Sequence, residues 1–152
     1  MNGRIIRGRV LTFSDEPQDL DDTAAYRYIE DGAVLVENGR ITRLGDYADI
    51  SAAHPGVGVD DHRPHLILPG FIDTHIHYPQ TQVVASYAAN LLEWLNTYTF
   101  VAEQKFADEQ HAEFIAERFL DELLRHGTTT AVAYCSVHPQ SVDAYFRAAQ
   151  HR

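Results

Sequence analysis

The second half of the chain alternates strand-like with helix-like stretches, and that order restricts the fold more than any other feature. FIDTHIH, residues 71–77, reads as a strand set off by the Pro69-Gly70 turn. Ala112, Ile115, Phe119 and Leu123 then recur at helical spacing and define a buried stripe. Asp108 suits the N-cap of that helix, and Glu109 places negative charge in its first turn. Arg125 and His126 fall in the last turn, and Gly127 is well placed just beyond the C-cap. A second strand, TTTAVAYCSV, is rich in β-branched residues, and Pro139 opens another helical pattern through Ala149. Strands joined through a helix of this length run parallel, so the order predicts an α/β arrangement with helical crossovers.

Residues before Pro69 are patterned differently. Arg4–Phe13 mixes branched apolar residues with arginine. GAVLVENGRITRLG, residues 32–45, predicts a hairpin, because Asn38-Gly39 suits a type I′ turn whose two positions both need positive φ. Between them SDEPQDLDD, residues 14–22, has no apolar period and reads as a solvated acidic loop. The pattern change near Pro69 divides the chain into residues 1–68 and 69–152.

Bulk properties exclude some classes of function. No apolar run approaches the ~20 residues of a membrane span, and no apolar stretch follows the N-terminal arginines as a secretory leader would require. The single cysteine, Cys135, allows no intrachain disulfide and fits a reducing compartment, the cytoplasm. A net charge of -10 argues against duplex nucleic acid, which needs clustered Lys and Arg. A free nucleobase carries no phosphate and is not excluded.

Chemistry concentrates in LPGFIDTHIHYPQ, residues 68–80. Alternate strand residues share a face, so Asp73, His75 and His77 point one way while Ile72, Thr74 and Ile76 point the other. Two imidazoles one residue apart can lean toward each other and share a metal at about 2.0–2.1 Å each. Tyr78-Pro79 ends the strand, leaving the pair at its C-terminal end, where parallel α/β folds gather ligands. Gln80 lies just past that end and reads either as a solvated loop residue or as a donor–acceptor group for a base.

LPGFIDTHIH resembles the opening barrel strand of the amidohydrolase superfamily. PGFIDTHIHYPQTQ, LLEWLNTYTF, FLDELLRHGTTTA and VHPQSVDAYF together resemble its guanine-deaminating branch over nearly the whole chain. The spacing of LLEWLNTYTF after HIHYPQ is the narrower feature. The resemblance implies the start of a metal-dependent (β/α)8 TIM barrel, with residues 69–152 as its first two βα units. Residues 1–68 would be part of a small N-terminal β-sandwich domain completed by strands from elsewhere. It implies one zinc ion held in part by His75 and His77, with His77 and Gln80 binding the purine. It implies hydrolytic deamination of guanine to xanthine and ammonia in purine catabolism, with no nucleic-acid or membrane partner and room for a homodimer of the full-length enzyme.

Other positions keep simpler readings. Trp94 and Phe100 either wall the purine pocket or pack within an apolar helix; Asp73 supports the strand or a ligand. His138 caps a helix or meets solvent, and Cys135 fills space. His54, His62, His65, His111, His126 and His151 lack ligand spacing and read as surface or capping groups. Val101 stands where the family usually has proline after Tyr-Thr-Phe. A full barrel takes about 250 residues, so the acid/base residue and further ligands are expected beyond residue 152, and the 152-residue chain alone is expected to be inactive. The zinc deaminases built on His-x-Glu with Pro-Cys-x-x-Cys are excluded by the single cysteine. Two alternatives remain: an amidohydrolase acting on a related amine or cyclic amide, and a non-catalytic fragment.

Overall fold

The computed structural model describes residues 3–19 and 21–152. Met1 and Asn2 of the N-terminal stretch, and Leu20 of the acidic loop, lie outside the described residues. The chain divides after Pro69 into two compact units.

The first unit contains β1 (Gly3–Phe13), β2 (Tyr26–Glu37), β3 (Arg40–Asp46), α1 (Tyr47–Ala53) and β4 (Gly58–Ile67). They form a four-stranded sheet of order β3-β2-β1-β4, antiparallel except for the parallel β1–β4 pair. At the predicted hairpin Asn38 has φ 52° and Gly39 φ 75°, the positive values a type I′ turn needs. Consecutive β2 residues serve opposite faces. Leu35 packs with Ile5, Ala33 and Ile50, and Val34 with Val10 and Ile29. The sequence pattern did not reveal α1 or β4. In β4, GVDDHRPHLI, charged residues interrupt any alternation, and the strand is fixed by its pairing with β1 rather than by its own burial.

The second unit opens with β5 (Phe71–His77), followed by a 3-10 turn (Tyr78–Val83). A continuous helical stretch comes next: α2 (Leu91–Trp94), a π turn (Leu95–Thr99), α3 (Phe100–Gln104) and a 3-10 turn (Lys105–Ala107). Then come α4 (Glu109–Arg125), β6 (Thr128–Tyr134) and α5 (Pro139–Gln150). β5 and β6 pair in parallel, as the crossover predicts. Asp108 caps α4, its Oδ1 accepting from the Gln110 and His111 N–H groups at 2.9 and 3.1 Å. Gly127 leaves the helix at φ +83°. Ala112, Ile115 and Phe119 are buried, and Leu123 is half-buried beside them. They meet Tyr78, Phe106 and Tyr145 in the core that fixes β5 against the helices.

Two elements depart from the sequence pattern. β6 stops at Tyr134 rather than running to Val137, because the next residues serve the start of α5. The Ser136 N–H donates to Ser141 Oγ at 3.1 Å, and that hydroxyl donates to the His138 carbonyl at 2.7 Å. β5 is also not a regular ladder. Asp73 and Ile76 oppose Ala131 and Ala133, so one extra residue is accommodated where β5 carries Thr74 and His75. Such bulges re-aim side chains.

Candidate metal centre

His75 and His77 lie side by side at the C-terminal end of β5. Their Nε2 atoms lie 3.2 Å apart and their ring centroids 5.2 Å apart. Two ligands of one tetrahedral zinc, each at about 2.0–2.1 Å, are about 3.3–3.4 Å from each other. The pair therefore fits a shared metal without rearrangement of the strand. Among the described residues no group of three His, Cys, Asp or Glu is placed to hold a metal. Two imidazoles alone would supply only part of a coordination sphere.

Neighbouring groups hold the pair. Tyr134, at the end of β6, has its ring 4.7 Å from each imidazole, stacked at 15° on His77 and tilted at 41° to His75. Asp73 does not reach toward the imidazole nitrogens as a hydrogen-bond partner. Its Oδ1 accepts the His75 backbone N–H at 3.0 Å, which satisfies a donor where the ladder is irregular. Asp73 thus supports the strand. Tyr78, fully buried, donates its hydroxyl to the Ser141 carbonyl at 2.5 Å and ties the end of β5 to α5. Burial pushes its phenol well above the ordinary value, so it stays a donor.

His75 and His77 open onto a cleft of about 480 Å³, within the range of small-molecule sites. Gln80, Trp94, Glu122 and His126 also line it. Phe100 does not, and is 49% exposed. Gln80 sits on the 3-10 turn with its Nε2 3.2 Å from Glu103 Oε1 in α3. His126 holds the last turn of α4 through its Nδ1, 2.8 Å from the Glu122 carbonyl. His138 occupies the N-cap position of α5 but makes no side-chain cap, and its Nε2 is buried without a hydrogen-bond partner among the described residues. This corrects the expectation that it caps or meets solvent. Cys135 packs against the core, and burial raises its thiol pKa.

Tyr134 and Glu103 were missed in the sequence. Tyr134 could have been found from the parallel order, which brings the C-terminal ends of β5 and β6 side by side. Nothing local to Glu103 points at Gln80, 23 residues earlier.

The amidohydrolase family profile matches residues 66–152, and a bacterial imidazolonepropionase-like composite domain matches residues 32–56. The guanine deaminase of Escherichia coli K12 is 45% identical over 152 residues, covering 97% of this chain and 34% of the enzyme. The crystal structure of guanine deaminase from Bradyrhizobium japonicum superposes with a TM-score of 0.93 at 40% identity. It covers 100% of this chain and 33% of that one. Guanine deaminase from Clostridium acetobutylicum, described as holding guanine in its active site, gives a TM-score of 0.76 at 27% identity, covering 96% and 33%. The chain thus spans about a third of the length of these relatives. With the family profile matching more than half of the 152 residues, the chain belongs to the amidohydrolase family.

Proposed function

We propose that the whole protein is a zinc-dependent aminohydrolase of the cytoplasm that converts guanine and water to xanthine and ammonia in purine catabolism. The observation that carries this reading is the convergence of His75 and His77 Nε2 atoms, 3.2 Å apart, on the cleft that Gln80 also lines. The 45% and 40% identities to guanine deaminases narrow the substrate to guanine. The guanine-bound relative supports a purine as the ligand of this cleft.

Each residue then has a defined task. His75 and His77, neutral and bound through Nε2, would hold one zinc ion, whose chemistry there is Lewis-acid activation of water near neutral pH. Tyr134 restricts the rotation of both rings. His77 and Gln80 flank the purine, and the Gln80 amide meets its ring N–H and carbonyl groups. Water adds at the carbon bearing the exocyclic amine, and that amine leaves as ammonia. The proton-transferring group this requires is assigned to no residue of this chain.

The deciding experiment incubates the full-length protein with guanine, measuring ammonia release and xanthine formation by absorbance. Adenine, a triazine amine and a cyclic amide run in parallel. Stoichiometric xanthine and ammonia from guanine are expected. Turnover of another amine or the cyclic amide, with guanine untouched, replaces the substrate. No turnover of any of them rejects the enzymatic reading.

A further inference from the structure

Gln80 is presented to the cleft in one orientation only, and Glu103 is the reason. Its Nε2 donates to Glu103 Oε1 at 3.2 Å, and both side chains are half-buried. A carboxylate has no proton to give, so the amide cannot flip without placing two acceptors against each other. No other group among the described residues is hydrogen-bonded to the Gln80 amide. The amide oxygen therefore remains to accept from a ligand, while one of its N–H groups is committed to Glu103.

The position of Glu103 depends on the π turn at Leu95–Thr99. An i→i+5 turn inserts one residue into a helix and rotates everything beyond it by about 100°. Glu103 lies just past that insertion, in α3, and α3 packs against the 3-10 turn that carries Gln80. Without the π turn, α3 would present a different face to Gln80. π turns of this kind recur at functional sites.

From these contacts we infer that Glu103 is a positioning residue for substrate selection: it locks the Gln80 amide so that the oxygen accepts a ring N–H of the purine. The inference rests on the proposal that the cleft binds guanine. A free glutamine would offer its NH2 half to the same ring N–H in part of its population, and that pairing repels.

The test is a double-mutant cycle in the full-length enzyme. Gln80→Ala, Glu103→Ala and the double variant are compared for kcat/KM with guanine, and for binding of hypoxanthine, a purine that lacks the reacting amine. Each single variant should lose about tenfold in both. If Glu103 acts only through Gln80, the double variant falls no further than Gln80→Ala. Bound metal should stay at the wild-type level throughout. Should Glu103→Ala fail to fold, an exchange serves instead. Gln80→Glu alone sets two carboxylates together and should lose guanine binding; Gln80→Glu with Glu103→Gln restores a donor–acceptor pair and should recover most of it. An unchanged Glu103→Ala, additive losses in the double variant, or an exchange without recovery would overturn the inference while leaving the deaminase reading intact. A wild-type protein that neither turns over guanine nor binds hypoxanthine would overturn both.

Discussion

His75 and His77 each keep their ring in place through Tyr134, at 4.7 Å in both cases, so removing one imidazole leaves the other seated. This makes single substitutions informative. In the full-length protein, His75→Ala and His77→Ala should each weaken zinc binding by at least about tenfold, since ligand loss costs no less than loss of a supporting partner. Elemental analysis after matched dialysis reads this directly, and wild-type zinc content in both variants would reject the assignment. Cys135 makes a contrasting prediction. Burial raises its thiol pKa, so less thiolate is present at any given pH and the group reacts slowly. Peptide mapping after iodoacetamide treatment at pH 8 should show Cys135 modified more slowly than free cysteine, and equal rates would show the site to be open. The histidine pair was legible in the sequence because residues i and i+2 of a strand share a face. Tyr134 and Glu103 were not, because their neighbours are set by the β5–β6 register and the π turn, neither of which is written in any local spacing.

At the level of elements, the 3-10 turn after β5 joins the histidines to Gln80, and Tyr78 anchors it. Its ring meets Phe106 edge-on at 5.3 Å and Tyr145 at 5.2 Å, and its hydroxyl donates to the Ser141 carbonyl at the start of α5. Tyr78→Phe keeps the ring contacts and removes one buried hydrogen bond, at a cost of about 1 kcal/mol. Tyr78→Ala also empties the centre of the core, which typically costs about 3–5 kcal/mol. Urea unfolding of the full-length variants should rank them in that order. Equal midpoints for wild type and Tyr78→Phe would show that the hydroxyl bond adds nothing. α4 was readable in full because Asp108, the apolar stripe and Gly127 agree on one helix. The end of β6 was not, because Cys135–Val137 has strand composition while Ser136 bonds into the first turn of α5. β4 was missed for the opposite reason: its charged, proline-containing sequence forms a strand only where β1 offers an edge.

At the scale of the molecule, the faces left uncovered decide how residues 1–152 behave on their own. β5 and β6 form a two-stranded parallel sheet among the described residues. Parallel strands are ordinarily buried on both faces, yet Ile72 is 69% and Val132 56% exposed. Val84, Tyr87, Leu91 and Leu92, on the segment after the 3-10 turn, are each at least 67% exposed. Sheets this small are marginal in water, and open apolar edges template association. The relatives that match are about three times as long. A catalytic zinc needs at least three protein ligands, and the described residues bring two imidazoles together. Residues 1–152 expressed alone should therefore give insoluble or loosely ordered material that binds a hydrophobic dye, holds zinc weakly and releases no ammonia from guanine. Circular dichroism melting, dye binding and the ammonia assay on the purified fragment check this. A soluble fragment with a cooperative melt and xanthine production would mean that copies of the chain complete one another's sheets and coordination spheres. The same cooperative melt without xanthine would show that the exposed faces are tolerated while two imidazoles alone still make no catalytic site.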